Sequence, residues 1–197
     1  MALNLDDPTE VALAAADAFA AAGLEAALYG GLALAVYGEP RETRDADLAV
    51  ATVTVDAAHA ALTAAGVGAV IAFRNMQFGG LVLARVSLLG GGKLNTVDLV
   101  TPRSPRFADA VLQRALRGSL DGHPLAVVSP EDFVLLKILS TRDHDLEDAR
   151  TVVTSLGERL NRDLLISERA LLANEIADHP IMDRFVAVLD DRTSPTK

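Results

Sequence analysis

Between residues 69 and 100, three segments rich in Val, Leu and Ile are separated by short connections, each carrying a run of glycines. Ala69–Arg74, Leu81–Leu88 and Leu94–Val100 read as strands. Gly79-Gly80 and Gly90-Gly91-Gly92-Lys93 between them are short enough to act as hairpin turns. The second run could pass for a phosphate loop, but no Lys-Ser/Thr pair and no helix follow it, and a hairpin turn is expected instead. A chain built this way is committed to a sheet. What precedes and follows that sheet decides the fold class.

Upstream, Pro8 to Ala22 predicts a helix, with Pro8 near its first position and Gly23 past its end. A short strand, 25–29, feeds Gly30-Gly31. Leu32–Tyr37 then predicts a short helix, broken by Gly38 and Pro40. Arg44–Val50 alternates like a strand, and Val55–Ala65 reads as a helix closed by Gly66. After Pro102 the pattern turns helical. Pro105–Arg117 is followed by a small hairpin around Asp121-Gly122. Ser129-Pro130-Glu131-Asp132 opens a helix with Ser as N-cap. Helices are expected over about 130–141, 144–156, 163–177 and 180–190. The expected organisation is an α/β core with an N-terminal helix over 1–103, a helical region with a small hairpin over 104–192, and a disordered tail over 193–197. The fold class is α+β.

The chain has 197 residues, half of them hydrophobic, no cysteine and no tryptophan. Disulfides, zinc–thiolate sites and cysteine nucleophiles are thereby excluded. No apolar run reaches the roughly 18 residues that a membrane span requires, and no basic-then-apolar leader is evident at the N-terminus. A soluble, cytoplasmic protein is expected. The formal net charge of -9 argues against a broad basic nucleic-acid surface. The four histidines, His59, His123, His144 and His179, are too scattered to form a metal cluster.

The chemistry concentrates in GGLALAVYGEPRETRDADLAV, residues 30–50. In a strand, residues two apart project to one face, so Asp45 and Asp47 point the same way. Two like charges so close raise each other's pKa unless a cation lies between them. Mg²⁺, with Mn²⁺ as the substitute, suits such hard carboxylate oxygens. Asp98, alone in the apolar strand Asn95–Val100, joins the same set if its strand pairs nearby. Three carboxylates of this kind can hold two metal ions. Gly30 and Gly31, after a strand and before a helix, let the backbone approach a phosphate. Arg41 and Arg44 offer cations and Thr43 a hydroxyl. Arg44, alternating with Asp45, is placed to face away.

Gly-Gly, thirteen residues, Asp-x-Asp and a third Asp on a later strand resemble the signature of the nucleotidyltransferase fold, the DNA polymerase beta-like superfamily. Within it, Arg41, Thr43, Asp45 and Asp47 are similar to the AbiEii/AbiGii toxin-type pattern. The later segment from Lys137 through Arg142, Asp143, Asp145 and Asp148 resembles that family's helical element. Leu32, Ala46 and Ala49 depart from the family in packing positions only. The resemblance covers about residues 24–156.

It implies a mixed β-sheet flanked by helices, followed by a C-terminal helical region. It also implies Mg²⁺ on Asp45, Asp47 and Asp98, an NTP held by Gly30, Gly31, Arg41, Thr43, Lys137 and Asp145, and transfer of NMP to a hydroxyl. The acceptor is RNA, a protein or a small molecule, and an antitoxin protein is an implied partner. From the residues alone, Lys137 is as well read as a helix lysine, and Asp145 and Asp148 as its or Arg142's partners. The competing class is a catalytically silent module that binds nucleotide or a partner protein.

Overall fold

The computed structural model describes residues 3–37 and 39–189; Gly38 of the expected break, the end of the last helix and the expected disordered tail lie outside the described residues. Helix α1 (Pro8–Ala21) starts where Asp7 accepts a hydrogen bond from the Thr9 amide at 2.8 Å. Strand β1 (Ala27–Tyr29) runs straight into α2 (Gly30–Val36), so the two glycines form the first turn of that helix rather than a loop before it. Strand β2 (Ala46–Ala49) is shorter than the sequence pattern suggests and leaves Asp45 just ahead of it. Helix α3 (Val55–Ala64) is capped by Thr54.

Strands β3 (Ala69–Phe78), β4 (Leu81–Gly90) and β5 (Lys93–Pro102) form the expected antiparallel hairpins. Helix α4 (Pro105–Gln113) is shorter than expected, and the last two residues of the stretch expected to be helical, Leu116 and Arg117, open strand β6 (Leu116–Leu120) of the expected hairpin. It pairs with β7 (His123–Val127) across Asp121-Gly122. Helices α5 (Pro130–Leu139), α6 (Asp143–Leu156), α7 (Arg162–Glu175) and α8 (Ile181–Leu189) follow.

All seven strands join one sheet in the order β3-β4-β5-β2-β1-β7-β6. β1 runs parallel to β7 and antiparallel to β2, and β2 runs parallel to β5, so the sheet is mixed. The hairpin of the C-terminal half thus completes the sheet of the N-terminal half, and both halves contribute to one buried cluster. No described helix is long and apolar enough to cross a membrane.

Register positions the chemistry. Asp47 stands opposite Tyr29 on one side and Asp98 on the other, and Asp98 stands opposite Arg85, which faces Phe73. One row across five strands therefore reads Phe73, Arg85, Asp98, Asp47, Tyr29 on a single face. Leu28, Leu48 and Leu99 point to the other face, where α1 and α3 pack against the sheet. Helix α5 covers the first face at its β1 end, with Phe133 5.5 Å from the Tyr29 ring.

Candidate active site

Gly30 and Gly31 are required by contact as well as by conformation. Gly30 has φ +66°, in the left-handed region that glycine tolerates without cost. A Cβ there would lie 1.9 Å from Asp47 Oδ2, and one on Gly31 would lie 2.7 Å from Thr43 Cβ. The turn from β1 into α2 is thus pressed directly onto the residues of the Asp-x-Asp segment. Thr43 donates its hydroxyl to Asp45 Oδ1 at 3.1 Å. The double glycine, the threonine and the two aspartates form one packed unit.

The three acids have different surroundings. Asp98 is buried and accepts a forked pair from Arg85, Nε to Oδ1 at 2.6 Å and Nη2 to Oδ2 at 2.7 Å. Arg85 Nη2 also lies 3.9 Å from Asp45 Oδ2. Among the described residues, no hydrogen-bond donor of the protein reaches the Asp47 carboxylate. Burial, then the neighbouring charges of Asp45 and Asp98, push its carboxyl up to about 7, against the pull of Lys137 and Arg142.

Beneath this row lies a second cluster. Lys137, 1% exposed, donates to Asp145 at 2.6 Å and lies 2.8 Å from Asp148. Its ammonium sits 5.3 Å from the Tyr29 ring centroid and 5.4 Å from that of Phe133. Asp145 also accepts from the Ser140 hydroxyl and from Arg142 Nε at 2.8 Å. Asp148 accepts a fork from Arg41, at 2.9 and 3.0 Å. Arg41 on the segment before β2 and Lys137 on α5 are therefore tied together through α6.

Residues 95–184, a little under half of the chain, match the family model of a nucleotidyl transferase of unknown function (DUF2204). No curated protein matches the chain. Among solved structures, the antibiotic-resistance factor ANT(2'')-Ia in solution aligns with a TM-score of 0.53 at 17% identity, over 84% of this chain and 93% of that one. An antigenic nucleotidyltransferase-like protein from Paracoccidioides brasiliensis aligns at 0.51 and 21% identity, over 93% and 97%. ANT(2'')-Ia in complex with adenylyl-2''-tobramycin aligns at 0.51 and 15%, over 90% and 98%.

The chain has the nucleotidyltransferase fold. In this nucleotidyltransferase-fold protein Gly30, Gly31, Thr43, Asp45, Asp47 and Asp98 come together at the sheet. Lys137 and Asp145 lie below them in the buried cluster, which Arg41 reaches from its more exposed side. Arg44 is exposed. His59 and His179 each meet a backbone carbonyl at 3.0 Å, and His144 lies beside Asp145. Arg85 is the site residue that the sequence reading did not single out. Its signal was present: it is the only charged residue in Leu81–Leu89, a stretch that is apolar apart from Ser87.

The donor chemistry suits a hard divalent ion at Asp45 and Asp47. One carboxylate is oriented by a hydroxyl, and the other has no donor and an elevated pKa. Asp98 offers the same oxygens, but both are engaged by Arg85. Accordingly, among the described residues, no three His, Asp or Glu side chains form a ready metal cage. A cavity of about 430 Å³ lies on the opposite face, lined by residues including Phe19, Leu28, Leu48, Leu112 and Leu125, and none of the three acids reaches it.

The elevated pKa of Asp47 has a thermodynamic consequence. A folded-state value of about 7 against an ordinary value of 3.8 means that folding favours the protonated form. That contribution is complete below about pH 4 and is lost as pH rises through about 7. In metal-free buffer, Asp47→Asn is expected to match the parent protein at pH 4 and to exceed it at pH 8. After discounting for partial solvent contact, the gain is about 2 kcal/mol, or roughly 4–8 °C in melting temperature. Melting curves across this range check it; a gain that does not grow with pH would contradict the assignment.

Proposed function

We propose that this protein transfers a nucleoside monophosphate from an NTP to an acceptor hydroxyl, with Mg²⁺ or Mn²⁺ as its metal. The observation that carries this reading is the packed unit of Gly30, Gly31, Thr43, Asp45 and Asp47 with Asp98 directly across the sheet. Asp45 and Asp47 would hold the metal, with Asp98 beside them. When bound, the ion would neutralise phosphate charge and favour pyrophosphate as the leaving group. Gly30 and Gly31 present backbone to the phosphates. Arg41 and Thr43 flank that approach, and Thr43 also fixes the rotamer of Asp45. Asp98 would orient the acceptor hydroxyl and take its proton, as the oxygen attacks the α-phosphorus in line and the bond to pyrophosphate breaks. Lys137 and Asp145 act at one remove, setting the positions of Tyr29, Arg142 and, through Asp148, Arg41.

The likeness to a fold relative solved with adenylyl-2''-tobramycin supports nucleotidyl transfer to a small-molecule hydroxyl. The motif resemblance to toxin-type relatives supports an RNA or protein acceptor and an antitoxin partner instead. A panel of labelled NTPs with Mg²⁺, offered to each acceptor class, separates these readings. Pyrophosphate release should fall at least tenfold in Asp45→Asn. Release that is unchanged in that variant would refute the assignment. The silent-module reading is favoured by the closure of both Asp98 oxygens by Arg85. It would be upheld by metal-dependent nucleotide binding without transfer to any acceptor.

A further inference from the structure

Regular antiparallel register sets Arg85 opposite Asp98, but the strand on the other side of Arg85 is irregular. Strand β3 carries two register shifts against β4, between Ile71 and Phe73 and between Phe73 and Met76, and Asn75 has φ +47°. Such bulges re-aim side chains. Without them Phe73 and Met76, three apart, would face opposite ways. With them, Phe73 stands opposite Arg85 and Met76 opposite Leu83, both on the face of Asp98.

Arg85 then stacks on Phe73, its guanidinium carbon 5.5 Å from the ring centroid. The stack leaves the fork of the guanidinium pointing at Asp98, which it engages with both arms. The remaining reach of Nη2, 3.9 Å to Asp45 Oδ2, brings the same cation to a second member of the acidic trio. Arg85 is the donor of both bonds, and a guanidinium keeps its charge at any pH at which the protein is folded.

We propose that Arg85 is a resident cation that takes the place of a second metal ion in the nucleotide-free protein, so that the site binds one divalent ion, at Asp45 and Asp47. Three carboxylates carry a charge of -3, and Arg85 with one divalent ion balances them. A second ion would have to break a forked ion pair and leave a guanidinium beside two divalent charges. Arg85 is thus a positioning residue: it holds Asp98 at the edge of the metal position, and Phe73 holds Arg85. The inference rests on the metal-dependent reading above.

The test is a Mn²⁺ titration of the nucleotide-free protein, following free Mn²⁺ by electron paramagnetic resonance, in the parent and in Arg85→Gln, Arg85→Lys and Phe73→Leu. The parent should bind one Mn²⁺ per chain. Arg85→Gln should bind two, or bind the second at least tenfold more tightly than the parent does. Arg85→Lys, which keeps the charge, should stay near one, and Phe73→Leu should fall between. Arg85 is about one-third exposed, and circular dichroism is the check that each variant is folded.

Two ions of similar affinity in the parent would overturn the resident-cation proposal and leave metal dependence standing. A single ion in both parent and Arg85→Gln would do the same. No Mn²⁺ bound by any of the four proteins would overturn the metal-dependent reading as well.

Discussion

Lys137→Met is expected to destabilise the protein by about 3–5 kcal/mol, a large part of the roughly 5–15 kcal/mol that holds a domain folded. The side chain is 1% exposed and lies against Asp145, which is fully buried, and Asp148. Methionine would fill the space but strand two buried carboxylates on a lower supply of positive charge. Burial alone would raise the pKa of Asp145; Lys137, Ser140 and Arg142 outweigh it and hold the group at about 2. A depressed pKa contributes stability above the ordinary carboxylate value and loses it as pH falls through about 2. At neutral pH that contribution is therefore in full force, and removing Lys137 removes its largest favourable part.

Urea denaturation at pH 7 measures the loss. The double variant Lys137→Met/Asp145→Asn should recover part of it, because a buried pair replaced on both sides leaves less charge unpaired. A loss below about 1 kcal/mol for the single variant would mean that Arg41 and Arg142 already compensate both aspartates. Arg142→Ala tests that separately. It removes a half-exposed partner of Asp145 and should cost less than Lys137→Met.

Gly30→Ala is expected to lower nucleotidyl transfer at least about a hundredfold while leaving the fold in place. The new Cβ would fall 1.9 Å from Asp47 Oδ2 and 2.6 Å from its Cγ. The carboxylate must swing away or the β1–α2 turn must move. The φ of +66° adds strain of about 1–2 kcal/mol for any residue with a side chain. Either displacement separates the phosphate approach from the aspartate that serves it.

Gly31→Ala makes a useful contrast. Its Cβ would meet Thr43, on the irregular chain before β2, which has more room to yield. Its effect should be smaller and should appear through Asp45, the acceptor of the Thr43 hydroxyl. Transfer assays alongside Mn²⁺ affinity distinguish the two. A Gly30→Ala protein within tenfold of the parent on both measures would show that the glycine serves the turn alone.

The elements legible in the sequence were those with local causes. Caps and helix-opening prolines marked α1 and α5, and glycine pairs marked the β3–β4–β5 hairpins. The hairpin around Asp121-Gly122 was legible from its turn, but the helix before it was drawn too long, to Arg117; Leu116 and Arg117 belong to β6 because they pair with β7, and the place of that hairpin beside β1 is set by tertiary contact. In the site, Asp45, Asp47 and Asp98 could be picked out as acids with nothing to gain from an apolar core. That Asp98 would stand directly opposite Asp47 depended on the parallel pairing of β2 with β5.

By itself, then, the sequence determined which residues could do chemistry: hard oxygen donors on strand faces, glycines where backbone must come close, and cations near both. It also determined the α+β class, because period and turn chemistry are properties of neighbours along the chain. Only the tertiary structure decided the pairings. Lys137 turned inward because burial in α5 leaves its charge no solvent and two aspartates of α6 supply the alternative. Arg85 turned to Asp98 because antiparallel register set them opposite and bulges in β3 put Phe73 behind it. Charge pairing across strands and helices is a matter of distance in space, and residues 13 or 107 apart in sequence carry no local mark of it.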